Sequence, residues 1–180
     1  MFGFKYVLLN PRSLPQTHVA LFNQVYDHWI KAYSENQESI LNCDQVGIIL
    51  FENSVVGFQL FKSFDLRLTA VWNHPALIKL SAQDKSLLEK QHVARVLTTD
   101  SVFVTPQWRT DQHIPWNDIL TALALKLLDE SGIDVLISCE SPTQIFYKES
   151  NRRWANKVTQ YWVDALWPLS NLSYVKEHSV

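Results

Sequence analysis

Residues 116–138 constrain the fold more tightly than any other stretch. From Trp116 to Glu130 the sequence is apolar almost all round a helix, with Ile119, Leu120, Ala122, Leu123, Ala124, Leu125, Leu127 and Leu128, and with Lys126 the one charge between Ile119 and Leu128. A helix without a polar face must be buried. Gly132 suits its C-cap, where a left-handed residue ends the helix. Ile133–Ser138 follows at once as the continuous apolar run of a strand covered on both faces. Upstream, Val96–Thr105 reads as another strand, closed by Pro106, which has no amide donor and belongs at an edge or a strand end. Strand, buried helix and strand together predict two neighbouring strands joined by a right-handed crossover.

The remaining segments fit around that unit. Tyr6–Leu9 reads as a short strand. Ser13, Leu14 and Pro15 resemble a helix entry, and the helix runs to about Tyr33 with Phe22, Val25, Tyr26, Trp29, Ile30 and Tyr33 on one stripe. Gln45–Phe51 and Ser54–Phe61 form a hairpin around Glu52 and Asn53. Ser81 with Asp84 makes a capping-box-like start for a helix to about Ala94. Ser141, Pro142 and Gln144 make a second box, predicting a helix that carries Tyr147 and Trp154, and Lys157–Trp167 alternates as a strand would. The order predicts one domain over residues 1–180, a mixed α/β or α+β sheet covered by helices.

Composition removes several function classes. Sixteen Lys and Arg against eighteen Asp and Glu leave a net charge of −2, without the cationic excess that holds a polyanion, so nucleic acid is not expected. The longest apolar stretches, 46–51 and 119–128, fall short of the roughly 18 residues of a spanning helix. Cys43 and Cys139 form no local pair, which points to reduced, buried thiols in a cytoplasmic protein. The four glycines are too scattered for a dinucleotide or P-loop phosphate cradle, or for a nucleophile elbow. The six histidines include no metal-binding spacing, so no metal is expected.

Val104-Thr105-Pro106-Gln107-Trp108-Arg109, the helix after it, the strand Ile133–Ser138, the segment Ser141–Tyr147 and the upstream pair Val56-Gly57 together resemble the GNAT acyltransferase superfamily over most of the chain. The resemblance implies a GNAT-like central sheet and a donor that is an acyl-CoA or an acyl-phosphopantetheine. It also implies that the strand before the central helix splays, so that Phe103, Val104 and Thr105 offer backbone groups to the pantetheine arm. Arg109, Gln112 and His113 then fall in the pyrophosphate loop. That loop departs from the family pattern, because Asp111, Gln112, His113 and Ile114 stand where small residues expose amides to an anion. Two readings follow: a donor presented by an acyl carrier protein, as in the GNAT-like acyl-homoserine lactone synthases, or a fold that lost its donor and became a binding module.

Acyl transfer from a thioester to an amine or another small nucleophile needs a base and an acid for the leaving thiolate. The resemblance places Tyr147 as the acid and Asp100 as a base. His74, beside Trp72, Asn73 and Pro75, has the side chain whose ordinary pKa best suits a base near neutrality. Trp72, Trp108 and Trp116 are candidates for a pocket rim. Lys148, Arg152, Arg153 and Lys157 form a basic run, either a solvated face or a dock for an acidic carrier protein. A small-molecule acceptor is implied, and a thioester hydrolase is a remoter possibility.

Overall fold

In the computed structural model the chain is described over residues 4–33, 38–110, 114–139, 144–148 and 173–176. In chain order the elements are β1 (Phe4–Leu9), α1 (Val19–Ala32), α2 (Glu38–Asn42), β2 (Gln45–Phe51), β3 (Ser54–Asp65), α3 (Pro75–Ile78), α4 (Ala82–Lys90), β4 (Arg95–Val104), α5 (Pro106–Arg109), α6 (Trp116–Ser131), β5 (Val135–Ser138), β6 (Gln144–Tyr147) and β7 (Ser173–Lys176). Short 3-10 turns cover Pro11–Ser13, Gln16–His18 and Thr69–Asn73. The residues gather into two compact units, one of Met1–Phe61, Val102–Trp116 and Tyr161–Val180, the other of Lys62–Ser101 and Asn117–Gln160.

In the first unit the strands run in the order β3-β2-β1-β7. β1 is antiparallel to β2, from Phe4↔Phe51 to Leu9↔Val46, and parallel to β7, from Lys5↔Ser173 to Leu8↔Lys176. The expected hairpin is present. Glu52 and Asn53 form its two-residue turn with φ of 49° and 67°, the left-handed pair that matches the twist of the flanking strands. Phe22, Val25 and Trp29 of α1 pack on Val7, Val46, Ile48, Val55 and Phe58, so that stripe is core as its period predicts. The helix does not begin at Ser13. Pro15 keeps Leu14 extended at φ −74° and ψ 124°, and α1 starts only at Val19 after the two 3-10 turns.

In the second unit β4 runs parallel to β5, from Val96↔Val135 to Thr99↔Ser138, with α6 as the crossover element between them. β5 is antiparallel to β6, from Val135↔Tyr147 to Ser138↔Gln144. Residues 62–66 of the chain lie along β4's other side, where Thr98 Oγ1 donates to Lys62 O at 3.0 Å and Leu66 N–H to Ala94 O at 2.9 Å. The ladders are thus both parallel and antiparallel, and the fold is a mixed α/β one. Ile119, Leu120, Leu123, Ala124, Leu125, Leu127 and Leu128 of α6 are all buried, and Gly132 at φ 70° follows its end. The Ser81 capping box has both of its bonds. One expectation fails here. Gln144–Tyr147 is a strand rather than the first turn of a helix, because the run Ile145-Phe146-Tyr147 suits a pleated surface and β5 offers it an edge. The predicted strand Lys157–Trp167 lies outside the described residues. Among the described residues no helix is long and apolar enough to cross a membrane.

Candidate functional site

β4 changes character midway. Its register with β5 ends at Thr99↔Ser138, where Cys139 N–H donates to Thr99 O at 3.0 Å. Two residues later Ser101 has φ 57°. A serine in the left-handed region inside a strand marks local strain of the kind found at bulges and functional sites.

Beyond Ser101 the strand enters the first unit. Thr105 N–H donates to Val56 O at 2.8 Å, so by the alternation of a strand the carbonyls of Val102 and Val104 point from the opposite edge. Side chains meet both of them. The Tyr33 hydroxyl donates to Val102 O at 3.2 Å, and Arg109 Nη2 donates to Val104 O at 3.1 Å. The Arg109 guanidinium also lies 5.8 Å from the centre of the Phe103 ring, which stacks on Phe58 at 5.0 Å. Of the three residues expected to offer backbone groups, Val104 presents its carbonyl on the outward edge. Phe103 O points toward Gly57, and the Thr105 amide is already spent on Val56. Gln112 and His113 lie outside the described residues.

The segment after β4 is anchored by aromatic rings. Trp108 packs against Phe4 at 5.4 Å and Phe51 at 5.2 Å, and Trp116 against Phe4 at 5.9 Å. Trp116 Nε1 donates to Trp108 O at 2.9 Å, joining the two ends of the segment. These two tryptophans are packing residues rather than a pocket rim. The signal missed was the pairing of Phe4 with Phe51, which only the β1–β2 register reveals.

The second unit holds the other candidates. His74 closes the N-terminus of α3, its Nδ1 accepting from Ala76 N–H at 3.2 Å. A backbone amide can only donate, so a neutral imidazole in this setting carries its proton on Nε2. His74 therefore presents a donor to its surroundings rather than the acceptor expected of a base. Burial lowers its pKa, nearby Lys62 lowers it further, and Asp100 opposes them. The His74 ring lies 4.6 Å from the Phe64 ring, and Lys62 Nζ lies 5.7 Å from the same ring. Asp100 is half-buried, and neither its carboxylate nor the Lys62 ammonium forms an ion pair among the described residues. Cys139 is buried, donates through Sγ to Ala76 O at 3.6 Å, and has its pKa pushed up to about 12, by burial first and then by Asp100. Such a thiol is a packing group, not a nucleophile.

Tyr147 is set apart from Asp100 along the sheet. It pairs with Val135, which pairs with Val96, and Asp100 lies four residues farther along β4, about 13 Å away at the rise of a strand. Burial raises its pKa, with Asp84 adding to the effect. It lines a cavity of about 1100 Å³ with Val93, Arg95, Ile133, Asp134 and Lys148. Of the predicted basic run only Lys148 is described, and its Nζ donates to Asp129 O at 3.2 Å. Among the described residues no three His, Cys, Asp or Glu side chains converge as a metal site requires.

No family model matches the sequence, and no curated protein matches it. Two solved structures are similar in fold. The aminoglycoside N-acetyltransferase AAC(6′)-Iy, solved in complex with CoA, aligns over 100% of this chain and 93% of its own, with a TM-score of 0.47 and 13% identity. An agmatine N-acetyltransferase mutant in its apo form aligns over 74% of each chain with a TM-score of 0.50 and 12% identity. The second likeness shows that this chain shares the fold of that acetyltransferase structure, with its parallel β4–β5 pair in a mixed sheet.

Proposed function

We propose that this protein transfers an acyl group from a pantetheine thioester to the amine of a small acceptor. The observation that carries the reading is the break in β4. Its register with β5 stops at Thr99, Ser101 turns left-handed, and the next residues present main-chain groups on an edge that no strand pairs with among the described residues. An extended, amide-bearing chain such as pantetheine is the kind of ligand that adds to such an edge.

The chemistry needs an amine without its extra proton. Asp100 is the base in this reading: it is half-buried and without an ion pair among the described residues. The leaving thiolate has an ordinary pKa of about 8.5, so near neutrality its departure does not require a dedicated acid, and Tyr147 is left out of the step. Arg109 is the group for the donor's phosphates, with Gln112 and His113 next to it in sequence.

A second reading is a non-catalytic binding module. It is favoured by Tyr33 and Arg109, which already occupy the outward carbonyls of Val102 and Val104. Calorimetric titration with coenzyme A and with a pantetheine-bearing carrier protein, followed by thiol release from the matching acetyl thioester over an amine panel, separates the two. Binding with amine-dependent thiol release is expected. Affinity for the coenzyme alone identifies acyl-CoA as the donor, and affinity for the carrier alone identifies the carrier. No binding and no release would leave the module reading in place.

A further inference from the structure

Around Phe64 the second unit gathers three polar groups with capacity to spare. The Lys62 ammonium sits over the ring, the His74 imidazole packs against it with Nδ1 committed to Ala76, and Asp100 stands on β4 two residues beyond Thr98, whose Oγ1 donates to Lys62 O at 3.0 Å. Lys62 and Asp100 are half-buried and form no ion pair with each other or with any other described residue. A cation and an anion that are not committed to each other remain available to a ligand carrying both charges.

We infer that this face receives an acceptor bearing an anionic group beside its amine, an α-amino acid or a molecule of that type, an inference that rests on the acyl-transfer reading. A bare ammonium would meet one favourable charge in Asp100 and one unfavourable charge in Lys62. A molecule with a carboxylate next to its amine uses both. Its carboxylate takes charge-assisted hydrogen bonds from Lys62 Nζ and His74 Nε2–H, and its ammonium faces Asp100. Phe64 supplies an apolar floor beneath them. The capped tautomer of His74 fits this assignment, because Nε2–H can hold a carboxylate oxygen but cannot take a proton from an amine.

The step balances as written. Asp100 takes one proton from the ammonium, and the free amine attacks the thioester carbon. The C–N bond forms, the C–S bond breaks with its electron pair leaving on sulfur, and the second nitrogen proton passes to the thiolate or to solvent.

The test uses matched pairs: L-alanine with ethylamine, L-leucine with isopentylamine, L-phenylalanine with phenethylamine. Each is titrated while the ring resonances of His74 are followed by NMR, a readout independent of transfer, and each is offered as acceptor with acetyl-CoA. The expected result is saturable perturbation of His74 by at least one amino acid, with its decarboxylated partner about tenfold weaker, and a preference that shrinks toward unity in Lys62→Met. Methionine keeps the length and the contact with Phe64, and Lys62→Gln serves as a second variant, with circular dichroism checking the fold of each. Equal binding of both members of every pair, an unchanged preference in both variants, or no perturbation by any probe would overturn the inference. Amino-acid binding without transfer would retain this site and refute acyl transfer from acetyl-CoA. Transfer to amines with no carboxylate preference would do the reverse.

Discussion

Gly57→Ala tests how closely β3 approaches β4 where β4 has left β5. A Cβ at residue 57 would stand 2.6 Å from Phe103 O and 3.5 Å from Val104 Cα. Carbon and oxygen in close non-bonded contact rest near 3.3 Å, so one backbone must move by about 0.7 Å. The obstacle is main chain rather than the end of a flexible side chain, and Thr105 N–H to Val56 O ties the same stretch together at 2.8 Å. Overpacking of this kind costs about 1–3 kcal/mol, and the entropic gain of alanine over glycine returns about 0.4–1 kcal/mol. The net expectation is a loss of about 1–2 kcal/mol, read as a lower midpoint in urea with an unchanged slope. A second consequence separates this from generic destabilisation. The displaced residues are Phe103 and Val104, so affinity for a pantetheine ligand should fall even where the variant is fully folded. A Gly57→Ala protein as stable as wild type would refute the close approach. One that is destabilised but binds the donor normally would refute the role of this edge.

Four further outcomes follow from other parts of the molecule. Ser81→Ala removes one half of the α4 capping box and should cost about 1 kcal/mol in denaturant unfolding. Asp65 accepts from Arg67 Nε at 2.8 Å, and its pKa is lowered to about 2 from 3.8; its contribution to stability is therefore present above 3.8 and lost as pH falls toward 2, and an NMR titration should show the midpoint return to the ordinary carboxylate range in Arg67→Ala. The lowered pKa of His74 works through the opposite ionisation: the unfolded chain binds more protons just below pH 6.5, so stability should decline as pH falls through that window, and His74→Asn, which keeps a capping acceptor, should flatten the decline. Tyr147→Phe should leave amine-dependent turnover within about twofold of wild type, because the ring lies far along the sheet from Asp100; a tenfold loss would return Tyr147 to the mechanism.

Elements whose cause is local were readable in the sequence. Glu52 and Asn53 between two β-rich runs mark a two-residue turn, the Ser81–Asp84 box marks a helix start, and the unbroken apolar surface of α6 leaves burial as its only option. Where two signals compete, a neighbouring proline or tertiary context decided. Ser13 and Ser141 both look like helix caps, yet Pro15 keeps the first entry extended, and at the second the edge of β5 turns residues 144–147 into a strand. The left-handed backbone at Ser101 has no glycine to announce it. The group around Phe64 was beyond any motif search, because Lys62 and His74 come from a strand and a helix cap that only folding brings to one ring, and Asp100 comes from a second strand. His74 was found by residue chemistry and Asp100 by the family resemblance. Lys62 was missed, since a lone lysine in a β-rich run reads as a solvated charge.

The parallel pairing of Lys5–Leu8 with Ser173–Lys176 has a consequence for biogenesis. β1 leaves the ribosome before β2, and the strand that covers its second edge is made more than 160 residues later. At 5–20 residues per second that interval is roughly 8–33 s, during which β1 can pair with β2 but keeps one row of amides and carbonyls open. A nascent chain held that long with an apolar edge strand uncovered is a natural client for a chaperone. A message truncated shortly before Ser173 would leave the edge open permanently, and its product should assemble edge to edge rather than remain monomeric.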